Sequence, residues 1–253
     1  MEGIQQFVKD GRLLWTMTTN GYKFYTVNLI HWLRNVAKVH WPFCVICCDR
    51  ESYVYFRQEG IACIQYDSKH MNQRKLASFE TQEFGRIVIK KLELLYWISK
   101  NANDYGISKS LYIDGDIVVQ RDPWPVLDQL WENGMKELAF QCDCSTDDEH
   151  LDCGVACTGV IAMKHTYDAS PVWQFHKETW LQSNNNDQAF VGKRLKSLSI
   201  AYSTLPRPEW CNGSWQKSMK WKNHNWVLLH YNYRVGDTKK AAMKEQGHWH
   251  IPY

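Results

Sequence analysis

The chain has no run of about 18 apolar residues, so no membrane-spanning helix is expected. It has no Lys/Arg block longer than a pair, and a net charge of +3 is too mild to imply a nucleic-acid partner. The first residues, Met1–Gln6, lack the basic stretch and apolar core of a secretory signal, which points to a cytoplasmic protein. No internal repeat and no low-complexity linker breaks the sequence. Nine cysteines are an odd number and no disulfide framework. Cys44, Cys47 and Cys48 lie in the apolar run Phe43–Cys48, where Cys47 and Cys48 would face opposite sides of a strand. Cys142-x-Cys144 and Cys153-x3-Cys157 fit no standard zinc spacing, so a reduced chain without structural zinc is expected.

What the chain does have is length and aromatics. Its 253 residues suffice for one large domain that buries roughly 70–75% of its unfolded surface. Its 13 Trp and 13 Tyr exceed ordinary core needs, and amphipathic rings of this kind line sites for sugars and bases as well as cores.

The order of patterns is that of an α/β sheet. Arg12–Thr18 reads as a strand that ends in the turn cluster Thr18-Thr19-Asn20-Gly21. Tyr22–Lys38 follows with Tyr22, Tyr25, Leu29, Leu33 and Val36 at helical spacing. Phe43–Cys48 is a continuous apolar strand ending on Asp49, then a short helix runs to Gly60, and Ile61–Gln65 is a third strand. Ile87–Ser99 is a strong amphipathic helix. Strands Glu137–Gln141 and Val155–Met163, a helix Pro171–Leu181, the turn Ser183–Asp187, a helix from Gln188 and a last strand Trp226–His230 complete the series. Apolar strands alternating with helices imply a mostly parallel sheet covered on both faces. The acidic loop Asp143–Asp152 is the expected mobile segment.

One segment carries more chemistry than the rest: Leu111-Tyr112-Ile113-Asp114-Gly115-Asp116-Ile117-Val118-Val119. Two carboxylates stand at i and i+2 between apolar runs, and Gly115 lets the chain turn and a ligand approach the backbone. Asp114 and Asp116 could hold a divalent cation through hard oxygens, or could belong to an ordinary Asp-Gly turn. Ligands of open α/β sheets sit beyond the carboxyl ends of strands, and Thr18, Thr19, Asn20, Asp49 and Asp114–Asp116 all fall there.

The run Tyr112–Val118 with Asp122-Pro123 resembles the Asp-x-Asp motif of nucleotide-sugar glycosyltransferases of GT-A type. Thr158-Gly159-Val160-Ile161-Ala162-Met163-Lys164, Asn186-Asp187-Gln188, and His230-Tyr231-Asn232 with Gly236 and Lys239 resemble further motifs of that group in the same order. The similarity runs from Arg12 to Trp249 and is greatest to the nucleotide-diphospho-sugar transferases of plants, bacteria and large algal viruses. A viral origin would place the chain in the host cytoplasm.

The resemblance implies a GT-A fold: a Rossmann-like, mostly parallel central sheet flanked by helices, with a smaller acceptor-side region. Residues 1–253 would form one domain, with about 1–120 the nucleotide-binding half and about 121–253 the acceptor-side half and closing segment. The implied partners are a nucleotide-diphosphate sugar donor and a carbohydrate acceptor, with Mn²⁺ or Mg²⁺ as cofactor. Asp114, Asp116 and His230 would hold the metal, and Mn²⁺ accepts the His nitrogen more readily. Lys239 (or Lys240) and Gly236 would meet the diphosphate, and Asp187 with Gln188 would stand beside the sugar. Asp187 would act as a base or as an electrostatic partner, unless it serves only as a helix cap.

Thr18, Thr19, Asn20, Tyr25, Asp49 and Gly115 are candidate donor contacts. Arg86 and Lys90, one helical turn apart, are candidate phosphate contacts or merely a solvated face. The rival readings are a phosphatase of haloacid dehalogenase type with Asp114 as nucleophile, and a non-enzymatic carbohydrate-binding module. Asp116, read as a strand-end carboxylate outside the core, is expected to cost little stability when replaced by alanine.

Overall fold

A computed structural model describes residues 1–66, 81–144 and 154–252. Most of the acidic loop, with Asp147, Asp148 and Glu149, and also Cys153, lies outside the described residues.

The strands are β1 (Arg12–Thr18), β2 (Phe43–Cys47), β3 (Cys63–Gln65), β4 (Lys109–Ile113), β5 (Ile117–Val119), β6 (Leu138–Cys142), β7 (Ala156–Lys164), β8 (Ser203–Leu205), β9 (Trp210–Cys211) and β10 (Leu228–His230). The helices are α1 (Lys23–His31), α2 (Arg50–Gln58), α3 (Gln82–Asn101), α4 (Pro123–Glu132), α5 (Ser170–Trp173), α6 (Lys177–Leu181), α7 (Asp187–Ser197), α8 (Gly213–Ser218) and α9 (Asp237–Glu245). Among the described residues no helix is long and apolar enough to cross a membrane.

Seven strands form the main sheet in the order β3-β2-β1-β4-β7-β6-β8. All lie parallel except β7, which is antiparallel to both β4 and β6. The apolar pattern of β7 could not announce its direction, because a strand buried on both faces reads alike either way. Period-2 alternation splits the core. Leu13, Trp15, Tyr112, Phe140 and Ile161 pack with the buried stripe of α3 on one face. Leu14, Leu111, Ile113, Ala139 and Val160 pack with Trp124, Leu127 and Trp131 of α4 on the other.

Three expected helices differ in detail. The long helix of Tyr22–Lys38 is α1 followed by a π turn at Trp32–Val36, which keeps Trp32 and Leu33 buried together. Pro171–Leu181 is two short helices, because Gln174 takes an extended ψ of 120° and His176 caps α6 anew. The helix after Ser183 begins one residue early, at Asp187. Cys142 is disulfide-bonded, which corrects the expectation of a wholly reduced chain; an odd cysteine count does not exclude a single bridge. Cys44, Cys47, Cys48, Cys63, Cys144, Cys157 and Cys211 form no disulfide.

β4 ends at Ile113, the chain turns through Asp114–Asp116, and β5 leaves the main sheet for a three-stranded one, β5-β10-β9. In that small sheet His230 stands opposite Ile117, one residue from Asp116. The transfer of one chain between two sheets is what brings the carboxylates and the histidine together.

The segment after α9 folds back on α1. Asn28 Nδ2 and Trp32 Nε1 donate to the His248 carbonyl at 2.9 and 3.0 Å. Burial lowers the His248 imidazole to about 4, and burial likewise lowers His165 to about 4. The unfolded chain therefore binds more protons than the native one between these values and about 6.5, and stability falls as pH falls through that window. The melting temperature is expected to be lower at about pH 5 than at about pH 7. Replacing both histidines by glutamine should flatten the dependence, and an unchanged slope in that variant would refute the assignment.

Candidate functional site

A cavity of about 550 Å³ opens where the two sheets part. Thr18, Thr19, Asp114, Gly115, Asp116, Asp187, Gln188, His230, Gly236 and Lys239 all line it. Residues from both halves of the sequence thus share one wall.

At its floor, ligand atoms of Asp114, Asp116 and His230 lie within 4.8 Å of one another. His230 Nε2 is 3.3 Å from Asp116 Oδ1 and 4.0 Å from Asp114 Oδ2. Lys239 pairs with the other oxygen of Asp116. Asp116 is 2% exposed, so the expectation of a carboxylate outside the core is corrected. Burial would raise its pKa, but Lys239 and His230 outweigh burial and hold the carboxyl well below the usual range. Its Oδ1 is nevertheless buried without a hydrogen-bond partner. Two carboxylates, one with an unsatisfied buried oxygen, and an imidazole suit a divalent cation, so the residues present fit such an ion.

Gly159 makes room for this cluster. A Cβ there would stand 2.2 Å from His230 Cε1 and 2.9 Å from Asp114 Oδ2.

The second focus is Asp187. Asn186, not Asp187, caps α7, since its side chain accepts from Ala189 N. The Asp187 carboxylate is free for other work: Oδ2 lies 2.5 Å from Lys91 Nζ and accepts from Thr158 Oγ1 at 2.8 Å. Lys91 also stands 3.8 Å from Asp114. Burial opposes the charge of Lys91, but Asp114 and Asp187 outweigh it and hold the ammonium above its ordinary pKa. Tyr112, whose hydroxyl donates to Asp114, is pushed well above the phenol range by burial and by that carboxylate. Gln188 Nε2 donates to Asp143 Oδ2 at 2.6 Å, and Asn232 Nδ2 donates to Asp143 Oδ1 at 3.0 Å.

Five expected contacts do not line the cavity. Asp49 caps α2 with one oxygen, at 2.8 Å from Ser52 N, and accepts from Asn20 N at 2.8 Å with the other. Asn20 Oδ1 accepts from Lys23. Tyr25 donates to the Gly236 carbonyl at 3.4 Å and stacks on Tyr22, the ring that does line the cavity. Arg86 is exposed, and Lys90 pairs with Glu93 at 2.8 Å on the outer side of α3. Lys91, one residue on, is the cation that faces inward. It falls on the stripe Val88, Lys91, Leu92, Leu95, so a charge among apolar residues at helical spacing was the available signal.

The sequence signature of nucleotide-diphospho-sugar transferases matches residues 38–243. The chain belongs to the nucleotide-diphospho-sugar transferase family. Its fold is that of GT-A glycosyltransferases, as its similarity to solved members shows. Galactosyltransferase LgtC, solved with donor and acceptor sugar analogues, is 14% identical at a TM-score of 0.57, over 94% of this chain and 97% of that one. Mouse xyloside xylosyltransferase 1 is 10% identical at 0.51, over 89% and 99%. GlyE of Streptococcus pneumoniae TIGR4 is 16% identical at 0.52, over 92% of this chain but only 59% of GlyE, so the transferase spans about three fifths of that relative's length. Among curated proteins none matches by sequence. The family membership sets aside the phosphatase and the binding-module readings.

Proposed function

We propose that this transferase moves a sugar from a nucleotide-diphosphate sugar, of the UDP type, to a hydroxyl of a glycan or glycoconjugate in a reaction that requires a divalent cation. The observation that supports it is the cluster Asp114, Asp116 and His230 with an unsatisfied buried oxygen beside Lys239. Mn²⁺ or Mg²⁺ would be held by those three side chains and would neutralise charge on the diphosphate as the glycosidic bond breaks.

The other residues divide the remaining work. Lys239, on α9, is the cation nearest Asp116 and would offset charge developing on the leaving group, with Gly236 letting the chain pass close. Thr18, Thr19 and Tyr22 line the wall where the nucleoside would lie. Asp187 has Oδ2 engaged by Lys91 and Thr158, so we assign it a fixed negative charge beside the reacting sugar carbon rather than proton transfer. Gln188, tied to Asp143, would orient the acceptor or the sugar.

The test is a panel of nucleotide sugars scored for donor hydrolysis with Mn²⁺ and after EDTA. Hydrolysis of at least one donor, lost with the chelator, is expected, and metal-independent turnover would remove the cation from the reaction. Replacing Lys239 by alanine is expected to lower kcat on the order of 10²-fold with a smaller change in the donor KM, because the contact strengthens as charge builds. A change confined to KM would make Lys239 a ground-state contact.

A further inference from the structure

We propose that Gln141 is a positioning residue that fixes the tautomer of His230, so that Nε2 offers its lone pair to the ion held with Asp114 and Asp116. This rests on the cation site argued above and extends it to a residue that no motif marks.

β6 alternates strictly: Leu138 and Phe140 enter one core cluster and Ala139 the other. Gln141 follows on the side of Ala139, an otherwise apolar face, and is completely buried. An amide in such a place is costly unless its bonds are made. They are. Nε2 donates to the carbonyls of Trp210 and Cys211 at 3.2 and 2.9 Å, both on β9. Those carbonyls can only accept, so the amide cannot be turned over without setting oxygen against oxygen.

Oε1 is thereby committed to the opposite direction, where it lies 2.7 Å from His230 Nδ1. An amide oxygen carries no proton, so Nδ1 must donate. Cys157 Sγ also reaches the same nitrogen at 3.9 Å, but sulfur is a weak partner beside the amide oxygen at 2.7 Å. The neutral ring then keeps its lone pair on Nε2, aimed at Asp116 Oδ1 and Asp114 Oδ2. The other tautomer would place Nε2–H between the carboxylates and leave no nitrogen ligand. The pairing of β6 with β7 shifts register between Phe140 and Gln141, and this irregularity opens the slot that the ring occupies beside Gly159. Outer partners of this kind set ligand orientation and typically change metal affinity 10- to 100-fold when lost.

Two readouts test it. Imidazole nitrogen NMR of the metal-free protein should give His230 with a proton on Nδ1, facing Gln141 Oε1. A bare Nδ1 would overturn the proposal whatever the protein binds. Mn²⁺ titration followed by electron paramagnetic resonance, with no nucleotide sugar present, should show Gln141→Met binding about 10- to 100-fold more weakly than wild type. Wild-type affinity in a folded Gln141→Met variant would refute the role. A wild type that binds no Mn²⁺ would sink the cation site alone, since the NMR readout judges Gln141 without metal. Should the methionine variant fail to fold, the same readout decides.

Discussion

Replacing Asp116 by asparagine is expected to abolish cation-dependent donor turnover, a loss on the order of 10³-fold or more. The side chain keeps its shape, so the effect isolates charge. Asp116 is the carboxylate on which the site converges: Lys239 holds one oxygen and the other is buried, unsatisfied, 3.3 Å from His230 Nε2. Removing the charge would take away one carboxylate of the proposed cation site and leave Lys239 facing a neutral amide. Breaking one side of a buried ion pair ordinarily costs about 3–5 kcal/mol, and the open cavity beside Lys239 should soften this by admitting water. The variant should therefore melt below wild type, yet melt cooperatively. Turnover within tenfold of wild type, in a protein that still loses activity with EDTA, would place the catalytic cation elsewhere.

The second large effect comes from one methyl group. Gly159→Ala is expected to lower both Mn²⁺ affinity and turnover, the latter by on the order of 10³-fold, as loss of a metal ligand's geometry does. The reason is space and not backbone freedom. The added carbon would meet His230 Cε1 at 2.2 Å, and the ring cannot retreat because Nδ1 is bonded to Gln141. Gly192 supplies the control. It lies inside α7 with nothing within 4 Å of an added Cβ, so Gly192→Ala should raise stability by about 0.5–1 kcal/mol. Melting curves and Mn²⁺ titrations on the pair separate the two. Equal behaviour of both variants would mean that the histidine slot is roomier than the geometry requires.

Much of this was legible before any coordinates. The strand β1 was bounded at Arg12 and Thr18 by its apolar run and the turn cluster after it, and the Asp-Gly-Asp turn stood out by residue type. Asp114, Asp116 and His230 were brought together only by the family resemblance, because nothing local says that β5 leaves one sheet and meets β10 in another. On α3 the cavity is lined by Lys91 and not by Arg86 or Lys90. Lys90 and Lys91 are chemically identical, and only the helical stripe decides that Lys91 faces inward while Lys90 pairs with Glu93. Asp49 shows how a strand-end carboxylate can be engaged locally: it also starts α2, where one oxygen caps the helix and the other accepts from Asn20 N. Gln141 went unseen because one amide at the end of an apolar strand carries no motif, although its presence on an apolar face was itself a sign of a committed partner.

The dispersal of the site along the sequence also governs when it can work. Asp114 and Asp116 emerge from the ribosome well before His230 and Lys239, and the Gln141 amide has no imidazole to hold until β9 and β10 have been made. Until then the acidic turn has Lys91 beside Asp114 but lacks the Lys239 partner of Asp116. The candidate site is therefore completed only when the late strand closes onto the early one.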